Sequence, residues 1–497
     1  MTLLGLDIGS SSIKAALVDA NTGLCIATAT SPDTELPMIS HQTGWAEQHP
    51  DTWWDHIGIC IQKLKSKAPA AVDAIKAIGI SYQMHGLVCI DEVGKALRPA
   101  IIWCDSRAVG IGNAANEALG SDFTLSHYLN LPGNFTASKL KWVRDNEPEL
   151  FAKIYKAMLP GDYIGYHLGG NLQSTISGLS EGIFWDYKQQ GIATDLLSHY
   201  GIDVNLLPPF TDSFGHHGVV SAAAAAELGI PAGAVISYRA GDQPNNALAL
   251  NVLNPGEVAA NAGTSGVIYG VADQPLYDPE SRVNTFVHVN HTATRPRYGV
   301  LACINGTGIL NSWVRRTLST GSDTLLDYQT LNDLATNVPV GSHGLTMLPF
   351  GNGAERTLGN RNLGASIQGL DFNNHGAGHV ARAAQEGIVF ALNYGLDIMR
   401  DMGMEINTVR AGAANMFLSP VFAQTFADVT GAVVELYEAD GAQGAARAAG
   451  VGAGLYALEE VSKGLTLKAT ILPSIQVDQA KEAYQNWLSI LQKQLAY

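Results

Sequence analysis

The sequence predicts an α/β protein of two domains, and three observations predict it. Apolar strand-like segments alternate with helix-like ones through the first half, which is the pattern of a sheet covered by helices. A strand–turn–strand unit near the start has a partial echo past the middle of the chain, which suggests a duplicated domain. The chain has 497 residues, and each half is long enough for its own hydrophobic core.

Leu3-Leu4-Gly5-Leu6-Asp7-Ile8 is an apolar strand carrying one carboxylate. Burying an unpaired charge is costly, so Asp7 needs a partner. Gly9-Ser10-Ser11-Ser12 follows as a tight turn, and Ile13 to Asp19 as a second strand. Such a turn offers backbone N–H groups and hydroxyls without bulk, as a phosphate-holding loop does. A carboxylate beside it can hold the magnesium of a nucleotide. The echo runs from Val258 to Asp273 around Gly263-Thr264-Ser265. Both units read Gly, Ser or Thr, Ser, any residue, Ile or Val, with an Asp ten residues after the Gly. Asp7 of the first corresponds to Asn261 of the second, so two turns around one phosphate chain would present one metal-binding carboxylate. Either turn alone reads equally well as an ordinary β-hairpin; the pair favours phosphate binding.

The remaining elements follow in order. Ala77 to Ser81 is a buried strand running into Tyr82-Gln83-Met84-His85-Gly86, and Leu87 to Ile90 resumes as a strand. Pro99 to Asp105 reads as a strand ending on a carboxylate. Ser138 to Asn146 is a helix closed by Pro148, and Ser221 to Leu228 one stopped by Gly229 and Pro231. Ala234 to Tyr238 is a strand feeding Arg239-Ala240-Gly241-Asp242. Asn245 to Leu253 is helix-like, so Asp242 also reads as a helix N-cap. The second half adds helices at Gly308–Leu318 and Ala381–Met402, a Gly-rich loop from Pro349 to Arg356, and a strand-then-turn at Val409–Asn415. Gly441 to Leu458 alternates Gly and Ala at helical spacing, so its backbone can approach a neighbour closely. The domain boundary falls near residue 245, giving domains 1–245 and 246–497 around a cleft.

Apolar residues make up 46% of the chain and charged ones 15%, as in a compact folded protein. A net charge of −15 argues against general nucleic-acid binding and against an anionic membrane surface. The five cysteines (Cys25, Cys60, Cys89, Cys104, Cys303) form no CxxC pair, which fits a reducing, cytoplasmic setting without structural zinc. No basic region precedes the first apolar residues, so no secretory signal is expected. No run is long and uncharged enough to span a bilayer.

Seven segments, in order, resemble the FGGY family of carbohydrate kinases. They are Asp7 to Lys14, Gly44 to Gln48, Gln83 to Gly86, Ile102 to Arg107, Leu159 to Tyr163, Gly241 to Gln243 and Ala262 to Val267. The resemblance runs from about Leu3 to about Leu458. It implies two actin-like, ribonuclease H-like ATPase domains flanking a catalytic cleft that holds ATP and a sugar. Within the family the likeness is strongest to members acting on xylulose. The implied reaction is ATP-dependent phosphorylation of D-xylulose to D-xylulose 5-phosphate. The alternatives are another ketose or polyol (ribulose, fructose, a pentitol) or a non-catalytic sugar-binding protein on the same fold.

The resemblance also implies roles. Asp242 matches the catalytic base, and Asp7 the catalytic carboxylate near Mg2+. Gly9, Ser10, Ser11 and Ser12, with Lys14 beyond them, match one ATP-binding turn, and Gly263, Thr264 and Ser265 match the other. Gln83, Met84 and His85 match the sugar pocket, with Trp103 and Asp105 on a segment near it. Each has a plainer reading: His85 as a buried structural histidine, Trp103 as a core aromatic, Asp105 as a surface partner of Arg107. The usual three-glycine adenine turn is Ala411-Gly412-Ala413-Ala414-Asn415 here, with Gly412, Ala413 and Asn415 as its adenosine candidates. The Gly351–Thr357 loop has one extra small residue before Glu355-Arg356, which bears on domain closure. Family members are often dimeric, so a homodimer is among the assemblies implied.

Overall fold

The computed structural model describes residues 1–169, 171–321 and 324–496. Two mixed sheets organise it. The first contains Thr2–Ile8 (β1), Ile13–Asp19 (β2), Cys25–Ser31 (β3), Ile75–Tyr82 (β4) and Val235–Gly241 (β5), in spatial order β5-β4-β1-β2-β3. The second contains Glu257–Ala262 (β6), Gly266–Ala272 (β7), Asn284–Val287 (β8), Tyr298–Ile304 (β9), Thr408–Gly412 (β10), Val433–Glu438 (β11) and Thr466–Ile471 (β12), in order β8-β9-β7-β6-β10-β11-β12. The two share a plan. β1 pairs antiparallel with β2 on one side and parallel with β4 on the other. β6 does the same with β7 and β10. The phosphate-like turns predicted at Gly9 and Gly263 are the β1–β2 and β6–β7 connections.

Seven helices bear on the site: Pro50–Lys67 (α1), Thr136–Asn146 (α2), Ile176–Glu181 (α3), Asp242–Ala249 (α4), Gly308–Leu318 (α5), Ala377–Asp401 (α6) and Gly441–Gly452 (α7). Successive strand side chains face opposite ways, and β1 is buried on both faces. Leu4, Leu6 and Ile8 share a core with Trp53, Ile57 and Ile61 of α1. Leu3 packs with Val18, Ala77 and with Ala446 and Ala449 of α7. Asp7 belongs by period to the α7 face.

The Gly/Ala spacing of α7 has the expected consequence. A methyl group on Gly5 would stand 1.8 Å from the carbonyl oxygen of Ala442, and one on Gly79 2.0 Å from that of Ala445. The helix thus touches the first sheet backbone to backbone, and glycine is what the contact requires. The second sheet is backed by α6, whose Ile388, Val389, Leu392 and Leu396 join Val258, Ile268 and Val300 in one core.

Several elements differ in extent from the sequence reading. The strand expected over Pro99–Asp105 pairs only at Ala100–Ile101, because its partner Glu47–Gln48 offers two residues. The helix expected from Asn245 to Leu253 starts earlier, at Asp242, and ends at Ala249, shortly before Asn251 turns left-handed at φ 58°. α7 stops at Gly452 rather than Leu458, with Gly454 at φ 69° just beyond.

Candidate active site

β1, β4 and β5 are mutually parallel, so their carboxyl ends reach the same edge of the sheet. In open α/β sheets that edge is where ligands bind. Here it presents Asp7 to Ser12, Gln83 to His85, and Asp242.

Asp7 Oδ1 accepts a hydrogen bond from Ser81 Oγ of the neighbouring strand at 2.8 Å. Its other oxygen faces the start of α7: a methyl on Gly441 would lie 2.9 Å from Asp7 Oδ2 and 3.0 Å from Asn246 Oδ1. The partner that the sequence demanded is therefore a hydroxyl together with the positive end of a helix. Lys14 stands directly opposite Asp7 in the β1–β2 ladder, on the same face. Burial raises the Asp7 carboxyl above its ordinary range, Ser81 and Lys14 oppose the rise, and Asp440 adds to it.

Asp242 follows directly on β5 as the first residue of α4. Gly241, not Asp242, is the N-cap, and it makes no side-chain cap. The capping alternative therefore does not describe the geometry; the carboxylate sits on the rim, where Gln243 Nε2 donates to its Oδ2 at 3.2 Å. Burial first, and then the charge of Asp7, push the Asp242 carboxyl up to about 7. A carboxyl poised there can accept a proton at neutral pH.

The first turn is tied to the segments on either side. Gly9 N donates to the Ser12 carbonyl at 3.1 Å and Leu36 N to that of Ser11 at 2.8 Å. Gln48 Nε2 donates to the Ser10 carbonyl at 2.7 Å. Trp103 Nε1 donates to Ser10 Oγ at 3.2 Å, and the indole is 53% exposed, so it is a rim residue rather than a core aromatic. Ser11 and Lys14 are exposed, Gly9 and Ser12 half-buried.

Gln83 N extends the β4 pairing to the Ile8 carbonyl at 2.8 Å, and its buried Oε1 has no hydrogen-bond partner. Met84 packs on Gly241, where a methyl would stand 2.5 Å from Met84 Cγ. His85 holds φ 62°, which a non-glycine residue adopts only under constraint. Its Nδ1 lies 2.9 Å from the Glu181 carbonyl of α3. A carbonyl only accepts, so Nδ1 carries the proton and Nε2 is left as an acceptor. Burial, then Lys139, hold His85 down at about 3, so the ring is neutral. Phe135 and Phe286 pack on it at centroid distances of 4.9 and 5.3 Å; Phe286 comes from β8, in the second half.

Asp105 lies in the interior rather than on the rim. It is fully buried, accepts from the Ala46 N–H at 2.6 Å and pairs with Arg107 Nη2 at 2.7 Å. Arg107 in turn lies 3.8 Å over the Trp45 ring and 2.6 Å from Glu47. The pairing read from the sequence is present, but in the interior rather than on the surface.

Across the molecule, a cavity of about 480 Å³ opens at the second turn, lined by Gly263, Thr264, Ile309, Tyr328, Asn332 and Asn415 among others. Gly308 N and Ile309 N, opening α5, donate to the Gly263 and Thr264 carbonyls at 2.9 and 3.2 Å. Asn415 holds φ 54°. Gly412 and Ala413 do not line the cavity; Ala413 N is spent on the Tyr437 carbonyl at 2.8 Å. Ser265 lies next to Thr264 at the head of β7.

Sequence reasoning missed Ser81, Lys139, Glu181, Asn246 and Gly441. Lys139 donates to the carbonyls of His85 and Ile102 at 2.8 and 2.9 Å. Both carboxyl oxygens of Glu181 are buried without a hydrogen-bond partner, and one stands 2.8 Å from where a methyl on Gly241 would be. Burial, and then the charge of Asp242, hold that carboxyl well above its usual range. Arg356 reaches the Ser281 carbonyl at 3.4 Å, while its neighbour Glu355 is fully buried and accepts from Asn305 N at 2.9 Å. Only Asp440-Gly441 after a strand carried a sequence signal; the others are set by tertiary packing.

Comparison with known proteins gives consistent matches. The N-terminal domain model of the FGGY family of carbohydrate kinases matches residues 2–249, and its C-terminal domain model residues 258–453. The xylulose kinase of Haemophilus influenzae is 28% identical, over 99% of this chain and 97% of its own. The crystal structure of xylulose kinase from Rhodospirillum rubrum superposes with a TM-score of 0.89 at 26% identity, covering 99% of both chains. A gluconate kinase from Lactobacillus acidophilus shares the fold, with a TM-score of 0.89 at 23% identity over 100% of this chain and 98% of its own.

Proposed function

The chain belongs to the FGGY family of carbohydrate kinases, and from that premise we propose that it phosphorylates D-xylulose at its terminal hydroxyl, giving D-xylulose 5-phosphate. The observation that carries the mechanism is the placement of Asp242: a carboxyl pushed up to about 7 by burial and by Asp7, on the strand-end rim. Membership in a kinase family implies ATP use; the choice of sugar rests on the xylulose kinases among its relatives.

In this reading Asp242 accepts the proton of the sugar hydroxyl as that oxygen attacks the terminal phosphorus of ATP. Ser10 to Ser12, in the turn that the Gly9 N–H closes onto the Ser12 carbonyl, and Gly263 to Ser265 offer N–H and hydroxyl donors to the phosphates. The cavity beside Asn415 takes the adenosine. Mg2+ typically takes one or two carboxylates and completes its shell with phosphate oxygens and water, a requirement that Asp7 beside the first turn fits. The ion would neutralise charge on the transferring group. His85 Nε2 accepts from a sugar hydroxyl, Met84 gives an apolar wall, and Trp103 caps the rim. Phe286 and Arg356, both from the second half, complete the pocket beside His85, and closure of the domains over the ligands excludes water.

The test is ADP release from Mg-ATP across a panel of ketoses and polyols. Release that depends on D-xylulose supports the reading. Release with another sugar keeps the kinase and overturns the pocket assignment; release indifferent to any sugar overturns both.

A further inference from the structure

We infer that Lys139 is a positioning residue of the sugar pocket: one buried amine ties the His85 carbonyl to that of Ile102 and holds the two pocket segments as a unit. This rests on the reading that those segments receive the sugar.

Leu87 and Ile101 exchange both backbone hydrogen bonds, at 2.9 and 3.2 Å. Past that pair the two chains part, one into the turn carrying His85, the other into Trp103 and Cys104. The His85 carbonyl sits where the ladder has ended, and a buried carbonyl left unpaired costs about 1–3 kcal/mol; the Ile102 carbonyl already accepts from Asp105 N at 3.2 Å. Lys139 Nζ supplies a donor to each, at 2.8 and 2.9 Å. The helix that carries it is seated in the core: Ala137 and Leu140 of α2 cluster with Met84, Leu87 and Ile101.

The residue is a costly choice for stability alone. Lys139 is fully buried, and among the described residues no carboxylate stands within ion-pair distance of it. Burial holds its amine down at about 7. A neutral amine keeps two N–H donors, which matches the two carbonyls, so the clamp survives loss of the proton. What the amine secures is geometry. A left-handed non-glycine residue persists only where its surroundings over-determine it. For His85 those surroundings are Lys139 on its carbonyl, the Glu181 carbonyl on its Nδ1 and two aromatic rings on its face. Without Lys139 the backbone relaxes and Nε2 leaves its place in the pocket.

The experiment compares Lys139→Met, which keeps the stem and removes the donors, with Lys139→Gln, which keeps a shorter donor arm. Val143→Ala, buried on the same helix, controls for general loss of stability. Lys139→Met is expected to raise KM for the sugar by about tenfold or more, with KM for ATP unchanged within about twofold. Lys139→Gln falls between it and the wild type. Val143→Ala lowers Tm and moves neither KM. If Lys139→Met does not fold, Lys139→Gln carries the comparison. An unchanged sugar KM in the folded variants, or equal shifts in both KM values, overturns the inference. His85→Ala separates the two layers: if it leaves the sugar KM unchanged, the pocket reading fails; if it raises that KM while the Lys139 variants do not, only the inference about Lys139 fails.

Discussion

Asp7 and Asp242 end parallel strands of one sheet, and the negative charge of Asp7 adds to burial in raising the proton affinity of Asp242. The residue placed to neutralise the metal and the residue placed to take the proton are electrostatically coupled. Anything that removes charge at Asp7 changes the pH at which Asp242 can act.

The first prediction concerns that pH. A general base must be deprotonated in the free enzyme, so kcat/KM for the sugar rises with pH, with a midpoint near 7. Asp7→Asn lowers the residual rate and moves the midpoint to lower pH, because the repelling charge is gone while burial remains. A pH–rate series on both proteins checks it; a midpoint that does not move, or moves up, contradicts the coupling.

Stability carries the same signature with a definite sign. The folded-state value of Asp242 lies above its unfolded one, so between about pH 4 and 7 the folded protein holds a proton that the unfolded chain has lost. Stability from this group therefore falls as pH rises through that window. Asp242→Asn has no such loss: thermal unfolding without ligands should show it more stable than the wild type at pH 8, with the difference vanishing near pH 4.

Backbone contact between α7 and the first sheet gives a third expectation. Gly5→Ala places its methyl 1.8 Å from the Ala442 carbonyl oxygen, and neither backbone can yield locally. Overpacking of this kind costs about 1–3 kcal/mol or more. Urea unfolding should show a lower midpoint, and the variant should lose turnover as α7 moves away from Asp7. A neutral Gly5→Ala would contradict the packing.

Asn415→Gly tests the nucleotide cavity. Glycine keeps the φ of 54° at no steric cost and removes only the amide. The loss of one hydrogen bond is worth about 0.5–1.5 kcal/mol, so KM for ATP should rise about two- to tenfold with the sugar KM unchanged. A shift in the sugar KM instead would place the adenosine elsewhere.

Much of this architecture was legible in the sequence because it is local. The turn after Asp7, its echo at Gly263 and the strand leading to Asp242 are contiguous patterns, and the structure puts each at a strand end. What was not legible depends on chain segments far apart. Asp105 resembled a pocket carboxylate, yet Arg107 and the Ala46 N–H draw it fully inside. Lys139 gave no signal, since an amphipathic helix usually keeps its lysines in water; only the carbonyls of His85 and Ile102 explain it. Glu181 gave no signal either; it is α3 that packs its carboxyl against Gly241.

The most direct measurement is turnover of D-xylulose by wild type and Asp242→Asn, with sugar and ATP binding followed by calorimetry on the same samples. ADP release is expected to depend on the sugar and to fall by about 10²–10⁴-fold in the variant, with both ligands still bound. Undiminished turnover in Asp242→Asn, with a wild-type enzyme that requires the sugar, would contradict it.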